Sequence, residues 1–200
     1  MKKFIFSLRK TSALFVLMLF SVLLFGCKPD AETEVLPENV ERLAADDPLI
    51  QDWFNPMWCQ RYIITKDAID ARGLDYYGEM MDEDGKYIFV NNHAGNNLCV
   101  LRLSETAGTL YIKYTRAGYL DSNTSEYLYT TDSSKAPDVG KWYAISYTAF
   151  DSVNHTIKIS GALKAGSKTS CDTLEEAVTE FTIANGYFTT YDDFQLYNGE

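Results

Sequence analysis

Histidine is almost missing from this sequence: 200 residues hold two, His93 and His155. Nucleophilic catalysis needs a positioned general base, and neither histidine sits in an evident constellation. His155 falls in DSVNHTIK and reads as a solvated turn residue, while His93 falls in VNNHAGNN, a Gly- and Asn-rich loop between strands whose amides could bind a polar ligand but are also ordinary turn formers. The cysteines make no CxxC and the histidines no HxxxH, which removes the usual zinc spacings, and no glycine-rich phosphate loop is present. No metal and no cofactor is therefore expected. Basic residues are also few, 18 against 28 acidic ones, for a formal charge of −10. Such a chain repels phosphate backbones, which argues against nucleic acid as a partner. Carboxylates are so abundant that no pair stands out, and a carboxylate-dependent hydrolase is kept as a competing class.

Long apolar runs are scarce too. The plainest, Ala13 to Gly26, has 14 residues and follows Lys2, Lys3, Arg9 and Lys10 with no acid among them. A bilayer-spanning helix needs about 20 residues, so this is the layout of an export signal. Leu24-Phe25-Gly26-Cys27 resembles a bacterial lipobox, with Phe25 in place of the usual small or branched residue. The resemblance implies cleavage before Cys27, a thioether from its thiol to diacylglycerol, and acylation, palmitate included, of its amine. Several acyl chains on one residue exceed what stable anchoring requires. The domains expected are then a signal peptide over 1–26, an acidic flexible tether over 27–49 and a folded body over 50–200. Losing the four leader cations takes the chain from −10 to −14. Lys28 at the second mature position favours the outer over the inner membrane.

Three cysteines remain in an oxidising compartment, so at most one internal disulfide forms. In NNLCVLRL the alternation of Cys99, Leu101 and Leu103 against Arg102 points Cys99 into a core. Cys59 and Cys171 are left as the possible bridge.

The body is rich in what the front lacks. All 14 tyrosines lie there, in short aromatic and β-branched runs separated by polar turns. RYIIT, KYIFVNN, LCVLRL, TLYIKYT, EYLYTT, KWYAISYTAF and HTIKISG read as strands, and YFTTY and FQLY as closing ones. Leu110, Ile112 and Tyr114 alternate with Tyr111 and Lys113, and Ile157 and Ile159 with Thr156 and Lys158, so each strand has one buried face. Asp84-Gly85 predicts a type I′ hairpin. In TLEEAVTEF, Thr173 and Glu176 form a capping box, and Leu174, Ala177, Val178 and Phe181 make an apolar stripe, predicting one short helix that Asn185-Gly186 stops. The fold class expected is all-β: an antiparallel meander closing into a lipocalin-like barrel, because closure removes strand edges. A sandwich is the competing fold.

The segments VGKWYAISYTAF, HTIKISGAL and DTLEEAVTEFTIANGYF, with RYIITKDAID and DYYGEM before them, resemble small lipoproteins of spirochaetes, especially treponemes, that have a lipocalin-like barrel. The similarity runs over most of Trp53 to Tyr197 and is weakest between Gly118 and Lys135, which looks like an insertion or a long loop. It implies fold and location and carries no catalytic residue. The function expected is a non-enzymatic, membrane-anchored envelope protein that binds a small apolar ligand or a protein partner. Leu101, Leu103, Leu110, Ile112, Ile157 and Ile159 are the candidate cavity wall, with Tyr114 or Trp142 as its cap. A filled barrel with an exposed aromatic patch would instead mark a structural or adhesive protein.

Overall fold

Runs of alternating apolar and polar residues become ten strands and one helix in the computed structural model, which describes residues 35–74 and 79–199. Cys27, the export signal and the start of the tether lie outside the described residues. The strands are β1 (Val40–Glu41), β2 (Asp52–Asn55), β3 (Gln60–Ile64), β4 (Ala68–Leu74), β5 (Phe89–Arg102), β6 (Gly108–Leu120), β7 (Tyr127–Thr130), β8 (Trp142–Asp151), β9 (Thr156–Gly161) and β10 (Asp192–Leu196), with α1 (Leu174–Glu180) before the last. Eight of them form a ring in the order β2-β3-β4-β5-β6-β8-β9-β10, all antiparallel, and β10 on β2 closes it. The fold is thus an up-and-down barrel carrying one short helix. Strand β1 adds to the end of β5, and β7 to the far half of β6.

The registers give the barrel a floor and a mouth. At the floor, the stretch before β2 tucks Leu43 and Leu49 into the core beside Trp53, whose Nε1 donates to Leu49 O at 3.1 Å. Buried Asp47 and the more exposed Glu41 both pair with Arg102 at the end of β5, tying this stretch to the wall. The folded unit therefore begins at Leu36, and residues 36–49, expected in the flexible tether, belong to it. Few but well-spaced apolar residues, Val40, Leu43 and Leu49, were enough to dock an acidic segment.

Two cores share the wall. The inner one holds Trp53, Ile64, Leu98, Leu110, Ile145 and Phe150 among others. The outer one sits between the wall and α1, and includes Cys99, Tyr111, Trp142, Ala177 and Phe181. Thr173 caps α1 by accepting from Glu176 N at 3.2 Å, and Glu176 reaches back to Asp172 N at 3.3 Å. Asn185 Nδ2 donates to Thr179 O and Glu180 O, satisfying carbonyls that the helix end leaves open.

Several expectations need correction. The 79–88 hairpin is not type I′: Gly85 alone takes a positive φ (78°), Gly85 N donates to Asp82 O, and Asp82 Oδ1 accepts from Asp84 N and Lys86 N. A type I turn closed by glycine results, since the Asp82 side chain holds the loop open by one residue. The stretch 187–191 is not a strand, and Gly118 to Lys135 is largely the β6–β7 hairpin. Cys59 and Cys171 do not form a bridge. Both are free thiols, Cys59 in the β2–β3 turn and Cys171 beside Trp142 at the start of β8.

Candidate functional site

The mouth is built from tyrosines. Inward-facing Tyr62 of β3, Tyr114 of β6 and Tyr143 of β8 converge there with Phe194 of β10. The rings of Tyr114 and Tyr143 stack 4.9 Å apart, and Tyr62 meets Phe194 edge-on at 5.4 Å. Between the tyrosines lies His93, whose ring centroid is 5.6 Å from Tyr62, 6.1 Å from Tyr114 and 5.7 Å from Tyr143. Its Nε2 is sealed from solvent and has no hydrogen-bond partner among the described residues.

His93 was expected in a loop between strands and is instead within β5. The amides around it suggest a turn, but pairing to β4 and β6 satisfies the backbone, and tertiary pairing overrides local preference. An extra residue between Asn96 and Cys99, where Asn97 takes a φ of 56°, shifts the inward face from His93 and Gly95 to Leu98 and Val100.

That bulge also relocates the candidate wall. Leu101 packs in the outer core with Cys99, and Leu103 is 61% exposed. Trp142 is likewise in the outer core, one residue out of phase with Tyr143. Leu110, Ile112 and Ile157 are inside the barrel but wholly packed, so they line no space. Tyr114 is at the mouth, and Ile159 borders a cavity.

The cavity measures about 430 Å³ and opens at the ends of β9 and β3. Tyr62, Tyr129, Tyr143 and Phe194 give it aromatic walls, while Gln60 and Asp192 add polar groups at the start of β3 and β10. Tyr129 arrives from β7, so the β6–β7 hairpin, extended past the barrel, completes the site. An apolar pocket was expected. The one found has phenol and aliphatic hydroxyls, one amide and a carboxylate among its rings, because most of the aliphatic residues are consumed in filling the floor.

Burial sets the charge states. Desolvation pushes the Tyr62 and Tyr143 phenols far above their usual range, with Asp192 adding repulsion at Tyr62. His93 is pushed down to about 4 by desolvation first and by Arg116 second, against an opposing pull from Asp70. At neutral pH the cavity thus presents neutral phenols, able to hydrogen-bond and to stack, and the imidazole packed against Tyr62 and Tyr143 is neutral as well. Among the described residues no three His, Cys, Asp or Glu gather as a metal would require.

Sequence reading missed Tyr62, Tyr129 and Asp192 as neighbours, and likewise the contact of His93 with Tyr62. The available signal was the clustering of tyrosine on inward positions near one end of successive strands, which only the closed register reveals. Comparison with family models, with curated proteins and with solved structures returns no significant match.

Proposed function

We propose that this protein is a membrane-anchored lipoprotein of the bacterial envelope, akin to the small lipocalin-like lipoproteins of spirochaetes, that binds a compact small molecule at the mouth of its barrel. The observation that carries the reading is the cavity of about 430 Å³ bordered by Tyr62, Tyr129, Tyr143 and Tyr187. The packed floor leaves no room for a long acyl chain within the barrel, which points to an aromatic or amphipathic molecule of modest size.

Binding rather than catalysis is supported by the protonation states: phenols raised and an imidazole lowered by burial are poor acid–base groups at neutral pH. Anchoring rests on the Cys27 lipobox, and the acyl chains would hold the barrel at the outer membrane, facing the periplasm or the surface. A protein partner is the second reading, favoured by Met57, Trp58, Met80 and Met81, exposed apolar residues on the β2–β3 and 79–88 turns.

Two measurements test the proposal. Cys27→Ala should abolish incorporation of labelled palmitate, and equal labelling of both proteins would remove the anchor. A panel of small aromatic and amphipathic compounds should perturb the Tyr129 and Tyr143 ring resonances; compounds that bind elsewhere, or not at all, would remove the mouth site.

A further inference from the structure

Resting on that mouth site, the geometry points to a further assignment: we infer that the cavity selects a small organic cation, a primary amine or a quaternary ammonium, held between the faces of Tyr62, Tyr129 and Tyr143 and neutralised by Asp192. A cation is attracted to the negative face of an aromatic ring, most strongly where water is excluded. Four phenol rings, those of Tyr62, Tyr129, Tyr143 and Tyr187, border one half-open cavity here, and none of the residues bordering it is basic.

The carboxylate is placed to complete the recognition. Asp192 begins β10, borders the cavity, and is close enough to Tyr62 that its charge disfavours the phenolate. Its neighbour Asp193 pairs with Lys158 at 2.8 Å, whereas Asp192 has no ion-pair partner among the described residues. Asp138 adds to the negative field, disfavouring the phenolates of Tyr114 and Tyr127. Arg116, the cation nearest His93 in effect, is itself paired with Asp70. Lys164 lies with Nζ 5.6 Å from the Tyr187 ring centroid at the outer edge, so one aromatic face there already meets an ammonium. An anion would find no counter-charge in this lining, and a neutral hydrocarbon would strand Asp192 and Gln60 without partners. The chain's net charge of −10 draws cations toward the protein as a whole.

The test uses two compounds of one shape, choline and 3,3-dimethylbutan-1-ol, which differ by a charged nitrogen in place of a carbon. Both are titrated by calorimetry and by NMR into the full chain in detergent. Choline should bind at least about tenfold more tightly, a difference equal to one well-desolvated cation–π contact or ion pair. Asp192→Asn, which keeps the shape of the side chain, should bring the two within about threefold, and Tyr129→Leu should weaken choline alone. Circular dichroism checks that both variants keep the barrel. Equal affinity for the two compounds in the wild type would overturn the cation assignment and leave a neutral-ligand site at the mouth. Failure of both compounds to bind, while aromatic neutral compounds shift the same tyrosine resonances, would overturn the assignment with the site intact. Absence of any response at Tyr129 and Tyr143 would overturn the site as well.

Discussion

Burying the His93 imidazole among three phenol rings fixes both its charge and its cost. Its ordinary value of 6.5 falls to about 4 in the folded protein, chiefly through desolvation. Between those two values the unfolded chain binds a proton that the folded one refuses. Stability therefore drops as pH falls through that window, and the penalty is complete below about 4. The shift corresponds to about 3 kcal/mol. Replacing the imidazole by phenyl removes the titration while keeping a ring in the same space. The advantage of His93→Phe over wild type should thus grow by about 3 kcal/mol between pH 7 and pH 4, carboxylate titrations being common to both. Denaturant melts of the two proteins across that range measure it, and a constant difference would show that His93 does not stay neutral. None of this was legible in VNNHAGNN. A run of Asn and Gly has the composition of a turn, and what places it in a wall is hydrogen bonding from strands distant in sequence.

Strand β5 shows how far an element can be read from alternation. In LCVL both phases are apolar, since one face meets the inner core and the other packs under α1, so the pattern cannot say which side is which. Strands with a wet outer face, such as β9, are unambiguous, and Ile157 and Ile159 lie inside as their period requires. Where the wall is tight, glycine marks it. A Cβ on Gly95 would stand 2.7 Å from Ile112 Cβ and 2.8 Å from Lys113 O, so Gly95→Ala forces the β5–β6 wall apart. We expect a loss of about 1–3 kcal/mol, the usual range for overpacking. Gly166→Ala, at a φ of 71° with no atom within 4 Å of the new carbon, meets conformational strain alone and should lose roughly 1 kcal/mol. Thr173→Ala removes the cap of α1 and should also cost about 1 kcal/mol, without disturbing the mouth. Thermal denaturation of the three variants ranks them, and a loss at Gly166 larger than that at Gly95 would contradict the packing at the β5–β6 wall. The helix itself was legible because a cap and an apolar stripe are local signals. Its outer core was not, since half of that core comes from the backs of strands.

At the scale of the whole molecule, closure depends on the last strand. The meander could be foreseen from strand count and turn spacing, but the ring is sealed by β10, a five-residue segment, which enters between β9 and β2. Phe194 fills the space below the mouth, and Tyr197 meets Phe54 edge-on with ring centroids 5.4 Å apart. The Arg61 guanidinium, paired with Asp52, lies 3.9 Å from the Tyr197 ring centroid and 5.0 Å from that of Phe89, so one side chain links β2, β3 and the two chain segments beside them. Without β10, strands β2 and β9 become open edges with unpaired backbone groups, and the inner core is exposed along the gap. The loss of Phe194 alone would cost about 3–5 kcal/mol, comparable to the total stability of many small domains. A chain ending at Tyr191 should consequently fail to unfold cooperatively and should elute as aggregate on size exclusion. Phe194→Leu, which keeps β10 and most of the buried volume, should remain monomeric with a lower melting temperature. Cooperative, monomeric unfolding of the truncated chain would mean that seven strands suffice and that the barrel closes without its final strand. The cation site gives the same experiment a functional readout. Asp192 and Phe194 enter together on β10, so truncation removes the carboxylate and one aromatic wall at once, whereas Phe194→Leu spares Asp192 and should retain the preference for choline over its uncharged isostere.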